Sequence, residues 1–464
     1  MEEGRSIPPL NPRRRARARP RHTENQGSGR HGGATCFVGF GPAEALAWTS
    51  GAADSAGVSG VAENIPDDGW GGCNPLDPGF RADPYPRLLR LREADPVNVT
   101  PIGVVRLLRY ADCVKCLRDV RSGVRTTDGM LPGVDESEPD RRRLFMLQQD
   151  PPNHTRLRRL VSKAFSPKAL RTLEARIDEI VDECLGRVAS RGEMDVIAEL
   201  ALPVPATIIC EMMGVPVADR DTFTTWTAQA TWTLAAQLLP PDQLAIAEDA
   251  GRKLGEYFER LIDERRRRPA DDILGALVRA EAEGDRLTTD ELLTQAVGLL
   301  IAGFETTIGL IGNGVRQLLL HPAELAKLRA RPELIETAVA ECLRFDGPIP
   351  LTQRILHEDA IFGGKTFPAN TMVFAMIAAA DRDPERFPDP ERFDVERADN
   401  DHLAFGGGAH YCLGAHLAEM EGRAAIGKLV SRFDALELVS REREPGPSLF
   451  RVPGRLPIRF RPER

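Results

Sequence analysis

The stretch from Phe405 to Ala418, FGGGAHYCLGAHLA, limits this chain more than any other. It sets Cys412 in a glycine-rich loop directly before a helical run through Glu419, Met420, Glu421 and Arg423. The positive end of a helix dipole and nearby backbone amides both favour thiolate over thiol. Gly406, Gly407, Gly408 and Gly414 let the backbone curl and bring its amides close to the sulfur. A lone, pre-ionised thiolate suits a nucleophile or a single axial ligand to iron. A cysteine at an arbitrary position is more often buried packing, so its neighbours decide between these readings.

Those neighbours, Phe405-x-x-Gly408-x-His410-x-Cys412-x-Gly414, resemble the haem-ligand signature of the cytochrome P450 superfamily, with every specified position filled. The resemblance implies that Cys412 is the proximal thiolate ligand to the iron of haem b. It puts Phe405 under the porphyrin, His410 at a propionate and Gly414 in the cofactor-binding loop. A thiolate ligand pushes electron density onto iron and favours O–O cleavage.

The chain has 464 residues, 42% hydrophobic and 28% charged, which is ordinary globular composition with length for a large core. No apolar run approaches the ~20 residues needed to cross a bilayer, so no membrane span is expected. The eight cysteines show no repeated metal-ligand spacing. Cys113-Val-Lys-Cys116 is an isolated pair with too few ligands for zinc. Unpaired thiols fit a reducing cytoplasm. The net charge of −8 hides an arm, residues 1–31, with eight Arg and three Glu. It lacks interleaved aromatics and helical periodicity, so no nucleic-acid partner is expected. Residues 1–72 read as a disordered Arg/Gly/Ala-rich extension and 73–464 as one folded domain.

Tyr85 to Arg92 reads as a helix, Val97 to Leu108 as a hairpin around Gly103, and Tyr110 to Asp119 as a second helix. In Asp150-Pro151-Pro152-Asn153-His154-Thr155-Arg156-Leu157-Arg158, His154 and Arg158 fall at i and i+4 on one helix face. Two such donors can grip a pair of carboxylates or form a solvated basic face. With Ala164-Phe165-Ser166 following, the pattern resembles the haem-propionate helix of the bacterial members. Met194 to Met213 reads as an apolar core helix closing at Gly214. Arg220–Leu239 and Gln243–Arg268 read as two helices joined at Pro240-Pro241, which the resemblance makes the lid over the site.

Leu287 to Leu319 is the longest helical pattern, with Thr288 or Thr289 as cap and Glu291 in the first turn. Midway lies Ala302-Gly303-Phe304-Glu305-Thr306-Thr307. An acid beside a hydroxyl inside an apolar helix conflicts with simple packing, and such conflicts mark function. Threonine can also bond back one turn and bend the helix. The motif resembles the oxygen-activating motif of the family, which implies Glu305 and Thr306 as the acid–alcohol pair and Ala302 and Gly303 against the cofactor.

Glu341 and Arg344 sit at i and i+3 on a helix, a common pattern on its own. Here it resembles the buried structural pair of the family, with Arg392 of Pro390-Glu391-Arg392-Phe393 as the third member. Pro384-Glu385-Arg386-Phe387 nearly duplicates that motif. Pro348 to Thr371 reads as strand with turns at Gly363-Gly364 and Pro368-Ala369-Asn370; Asn370 stands where the family usually has glycine and also tolerates a left-handed turn. Arg354 is expected as a further propionate donor. Gly298, Ile301, Ala302, Ile349, Pro350 and Leu351 are expected, by position, to line the distal pocket.

The resemblance therefore implies a mainly α fold with a smaller β region, the cytochrome P450 fold, of the bacterial, actinobacterial type. The implied reaction inserts one atom of O2 into a hydrophobic small-molecule substrate. Electrons would come from a separate ferredoxin and its NAD(P)H-dependent ferredoxin reductase, docking near Arg156, Arg159 and Lys163. The alternatives are a peroxide-driven peroxygenase, a subgroup that typically lacks the acid–alcohol pair, and a non-catalytic haem-binding sensor or carrier, which needs neither residue.

Overall fold

The computed structural model describes residues 70–463 except 71, 75, 133–144, 163–164, 283–286, 445 and 447. The chain divides into two units, Met1–Ala53 and Asp54–Arg464, and every described residue belongs to the second. The extension expected over 1–72 thus lies, up to residue 69, outside the described residues. Trp70, placed in that extension by the sequence pattern, stacks on Phe374 at 5.7 Å between ring centroids.

The structure is 57% helical, with the strands gathered in small sheets. The largest sheet runs in the order Val97–Val99, Val105–Leu107, Met372–Ala375, Thr352–Leu356, Ser122–Gly123. The first two strands form the expected hairpin, turning at Gly103 with φ +83°. Val105 pairs in parallel with Val373, and Arg354 lies opposite Val373 in the next, antiparallel pair. This register places Arg354 in the middle of the sheet with 4% of its surface exposed. Asn370 adopts φ +64°, the left-handed turn its residue type permits.

Two expected helices are interrupted. The apolar run from Met194 begins as a strand, Glu193–Asp195, passes through one π turn, Ile197–Ala201, and only then becomes a helix, Pro203–Met213. Gly214, φ +70°, ends it. Apolar content marked this segment as buried; strand pairing with Pro457–Arg459 decided its first residues. The long pattern after Leu287 starts as read, with a capping box between Thr288 and Glu291. It is broken at Phe304, however, into helices Thr289–Gly303 and Glu305–Leu320. Together they are long and apolar enough to cross a membrane, contrary to the expectation that no run is. Yet 78% of the most apolar window is buried inside the protein, so core packing accounts for that composition. Around this broken helix pack Pro203–Met213, Ile335–Asp346 and Ala415–Arg432, the last carrying the cysteine loop at its N-terminus.

Candidate active site

The loop before Ala415–Arg432 folds as its glycines require. Gly406 and Gly408 take φ +71° and +66°. A Cβ on Gly408 would meet the carbonyl oxygen of Leu117, which as backbone cannot yield. The Cys412 amide donates to the Phe405 carbonyl at 2.9 Å and closes the loop. Burial pushes the Cys412 thiol up, while the amides of Gly414 and Ala415 and the Arg158 guanidinium pull it down. The loop therefore supplies the expected pull toward thiolate, but burial outweighs it in the protein alone.

Around the loop the structure brings together the donors that the sequence scattered. The His154 and His410 rings lie 4.2 Å apart between centroids. The Nε2 of each is buried without a hydrogen-bond partner. Burial, then Arg354, His154 and Arg158, depress the His410 imidazole to about 3. His154 is lowered by burial and Arg158. Arg158 donates to the Tyr411 carbonyl at 2.6 Å, and Arg354 donates to that of Gln353 at 2.7 Å. Two arginines and two histidines with orphaned ring nitrogens, crowded beside one thiol, are poorly satisfied as they stand. A group carrying two carboxylates and a metal that takes one thiolate fits this donor set.

The break at Phe304 presents Glu305 and Thr306. Glu305 is 3% exposed and accepts a 2.7 Å hydrogen bond from Ser448 Oγ. Burial raises its carboxyl to about 7. Thr306 Oγ1 donates to the Ala302 carbonyl at 3.2 Å, the back-bond that its position suggests. Ala302 and Gly303 are half-buried at the end of the first helix segment. Glu421, one turn and a half into the cysteine helix, is also buried and raised to about 8 by burial, with the Thr307 hydroxyl opposing.

The expected pocket positions divide. Ile301, Ala302, Ile349 and Pro350 are buried or half-buried, whereas Leu351 packs with the Trp70–Phe374 cluster. Gly298 is covered by the Phe145 ring, which a Cβ at 298 would strike. Phe145 carried no sequence signal, because it meets Gly298 from a distant part of the chain.

Glu341 and Arg344 form the expected pair with no exposed surface on either side chain, at 2.7 and 2.8 Å. The third member is not Arg392. Its side chain is 59% exposed, 3.7 Å from Asp394, and only its carbonyl turns inward to accept from Arg344. Arg397 takes the place, with Nε 3.2 Å from Glu341 Oε2. The turn at Asp389, φ +47°, sends the Pro390–Phe393 segment past the pair with its backbone inward. Arg156, expected near a docking side, is bonded to the capping-box residue Glu291. Lys163 lies outside the described residues.

The comparisons with known proteins agree with this geometry. The family profile of cytochrome P450 matches residues 125–453. Cytochrome P450 monooxygenase PikC of Streptomyces venezuelae is 40% identical over 398 residues, 83% of this chain and 93% of the relative. Vitamin D(3) 25-hydroxylase of Pseudonocardia autotrophica is 39% identical over 396 residues, 82% of this chain and 95% of the relative. The crystal structure of CalO2 superposes with a TM-score of 0.77 at 34% identity, covering 84% of this chain and 98% of the other. The cysteine loop, its donors and these relatives together establish that the chain belongs to the cytochrome P450 family, as a monooxygenase that uses haem b.

Proposed function

We propose that this chain oxidises a hydrophobic small molecule, with Cys412 as the residue that would supply the thiolate ligand to haem iron and electrons arriving from a separate ferredoxin and its NAD(P)H-dependent reductase. When bound, haem supplies the activation of dioxygen for insertion of one oxygen atom into a substrate C–H bond or alkene. His154, Arg158, Arg354 and His410 would hold its propionates. Phe405 and Gly414 would shape the thiolate side, and Ala302 and Gly303 the dioxygen side. The thiolate of Cys412 would donate electron density to the metal. Thr306 holds a proton at the distal site through its hydroxyl, and Glu305 resupplies it. The apolar side chains of Ile301, Ile349 and Pro350 support a substrate of the lipid, steroid, terpene or polyketide kind. The free thiols of all seven described cysteines fit a reducing compartment such as the cytoplasm.

The observation that carries this reading is the meeting of one cysteine loop with two histidines whose buried Nε2 atoms have no partner. The test is the reduced CO spectrum. Cys412→Ala should lose the red-shifted Soret band of thiolate ligation, with the other seven cysteines intact. A wild-type band in that variant would overturn the assignment. A compound-library screen by spectral shift on the intact holoenzyme would then identify the substrate class.

A further inference from the structure

Glu305 and Thr306 leave consecutive helical positions about 100° apart, and the structure gives them separate partners. Thr306 bonds the Ala302 carbonyl. The Glu305 carboxyl lies between two hydroxyls that come from far along the chain, Ser448 and Thr231. Neither carried a signal in the sequence.

The direction of the Ser448 hydroxyl is set by the backbone. Ser448 Oγ accepts from the Phe450 amide at 3.1 Å, so its single proton goes to Glu305 Oε2 at 2.7 Å. Thr231 Oγ1 lies 2.9 Å from the Thr227 carbonyl and also bonds Glu305, where, like Ser448, it favours the charged carboxylate against burial. Thr231 and Thr227 are fully buried, and Ser448 is 5% exposed, so water does not substitute readily for either contact.

The charged groups around this site are engaged elsewhere. Arg81 donates to the carbonyls of Gly446 and Ser448. Arg443 and Arg451 are paired with Asp346. On the cysteine helix, Glu421 bonds Thr307. Among the described residues, burial and the two hydroxyls are what act on Glu305.

We propose that Ser448 and Thr231 are positioning residues that tether the Glu305 carboxyl apart from Thr306. This rests on the proton-supplying role given to Glu305 above. It adds that supply requires the carboxyl to leave these two tethers. Thr231 lies in the 3-10 turn that follows the helix Arg220–Ala230, so the position of the helix pair and the freedom of the acid are coupled.

The test is an infrared titration of the carboxylic acid band in the ferric holoenzyme, assigned by its loss in Glu305→Gln. Ser448→Ala removes a donor to the carboxylate and should raise the midpoint by about one to two pH units. Thr231→Val removes the second hydroxyl that favours the carboxylate and should raise it as well. Ser448→Thr and Thr231→Ser, which keep the hydroxyls, should titrate as wild type; haem content confirms folding of each variant. A downward shift in Ser448→Ala or Thr231→Val, or no shift in either, would overturn the proposal. Wild-type coupling in Glu305→Gln would instead remove the proton-supplying role while leaving the titration to judge the tethers.

Discussion

Arg397 Nε lies 3.2 Å from Glu341 Oε2, with 9% of its side chain exposed against none for Glu341. Glu341 also accepts from the Asp394 amide at 2.9 Å and from Asn400 Nδ2 at 3.1 Å. The carboxylate is thus fully enclosed by donors. Arg344 still pairs with Glu341 when Arg397 is removed, so the loss is that of one buried, charged hydrogen bond, about 1–3 kcal/mol. Arg397→Ala should therefore lower the melting temperature and the haem content. Arg392→Ala removes only an exposed side chain and should change stability by about 0.5 kcal/mol or less. Thermal melts of the two variants decide which arginine completes the cluster.

Thr306→Val keeps the shape of the side chain and removes its donor. The variant should bind haem, CO and substrate and still consume NAD(P)H through its partners. Product per electron pair should fall and hydrogen peroxide should rise to match. General acid–base groups of this kind contribute about 10²–10⁴-fold, expected here mainly as misdirected flux. Wild-type coupling would reduce Thr306 to a helix residue.

Glu305 gives a pH dependence with a definite sign. Its folded value, about 7, lies above the ordinary 4.5. Between these values the native state binds more protons than the unfolded state, so stability falls as pH rises through that window. The stabilisation is complete below the unfolded value and lost above the folded one. Glu305→Gln should flatten the loss by a few kcal/mol at most, about 1.4 kcal/mol per pH unit of window. Melting temperatures of both proteins at pH values on either side of the window measure it. In wild type, coupling should also decline above the folded value, as the acid loses its proton.

Gly298→Ala should be destabilising because its Cβ would strike the Phe145 ring. Overpacking of this kind costs about 1–3 kcal/mol. Phe145→Leu alone should open space at the same spot, and the double variant should recover part of the loss. Additive losses in a double-mutant cycle of melts would show that the two residues do not touch.

The cysteine loop, the helix carrying His154 and Arg158, the Glu305-Thr306 motif and the Glu341–Arg344 pair were legible because each is local. Glycine conformation, helix spacing and capping act within a few residues, so sequence order alone carries them. The long helix was legible as an apolar period, and its capping box as a three-residue spacing. The break at Phe304 was suggested only by the polar residues within it.

Tertiary structure decided everything that depends on two distant segments meeting. Arg397 rather than Arg392 reaches Glu341 because a turn reverses the intervening backbone, and the two PERF-type repeats look alike until that turn is formed. Phe145 covers Gly298 from another segment. Ser448, 143 residues from Glu305, sets which oxygen of that acid is bonded, and Thr231 binds it from the helix pair. Desolvation likewise has no sequence signature. The sequence places a thiol beside helix amides and an acid beside a threonine, but only burial, a sum over all neighbours, raises Cys412 and Glu305 above their ordinary values.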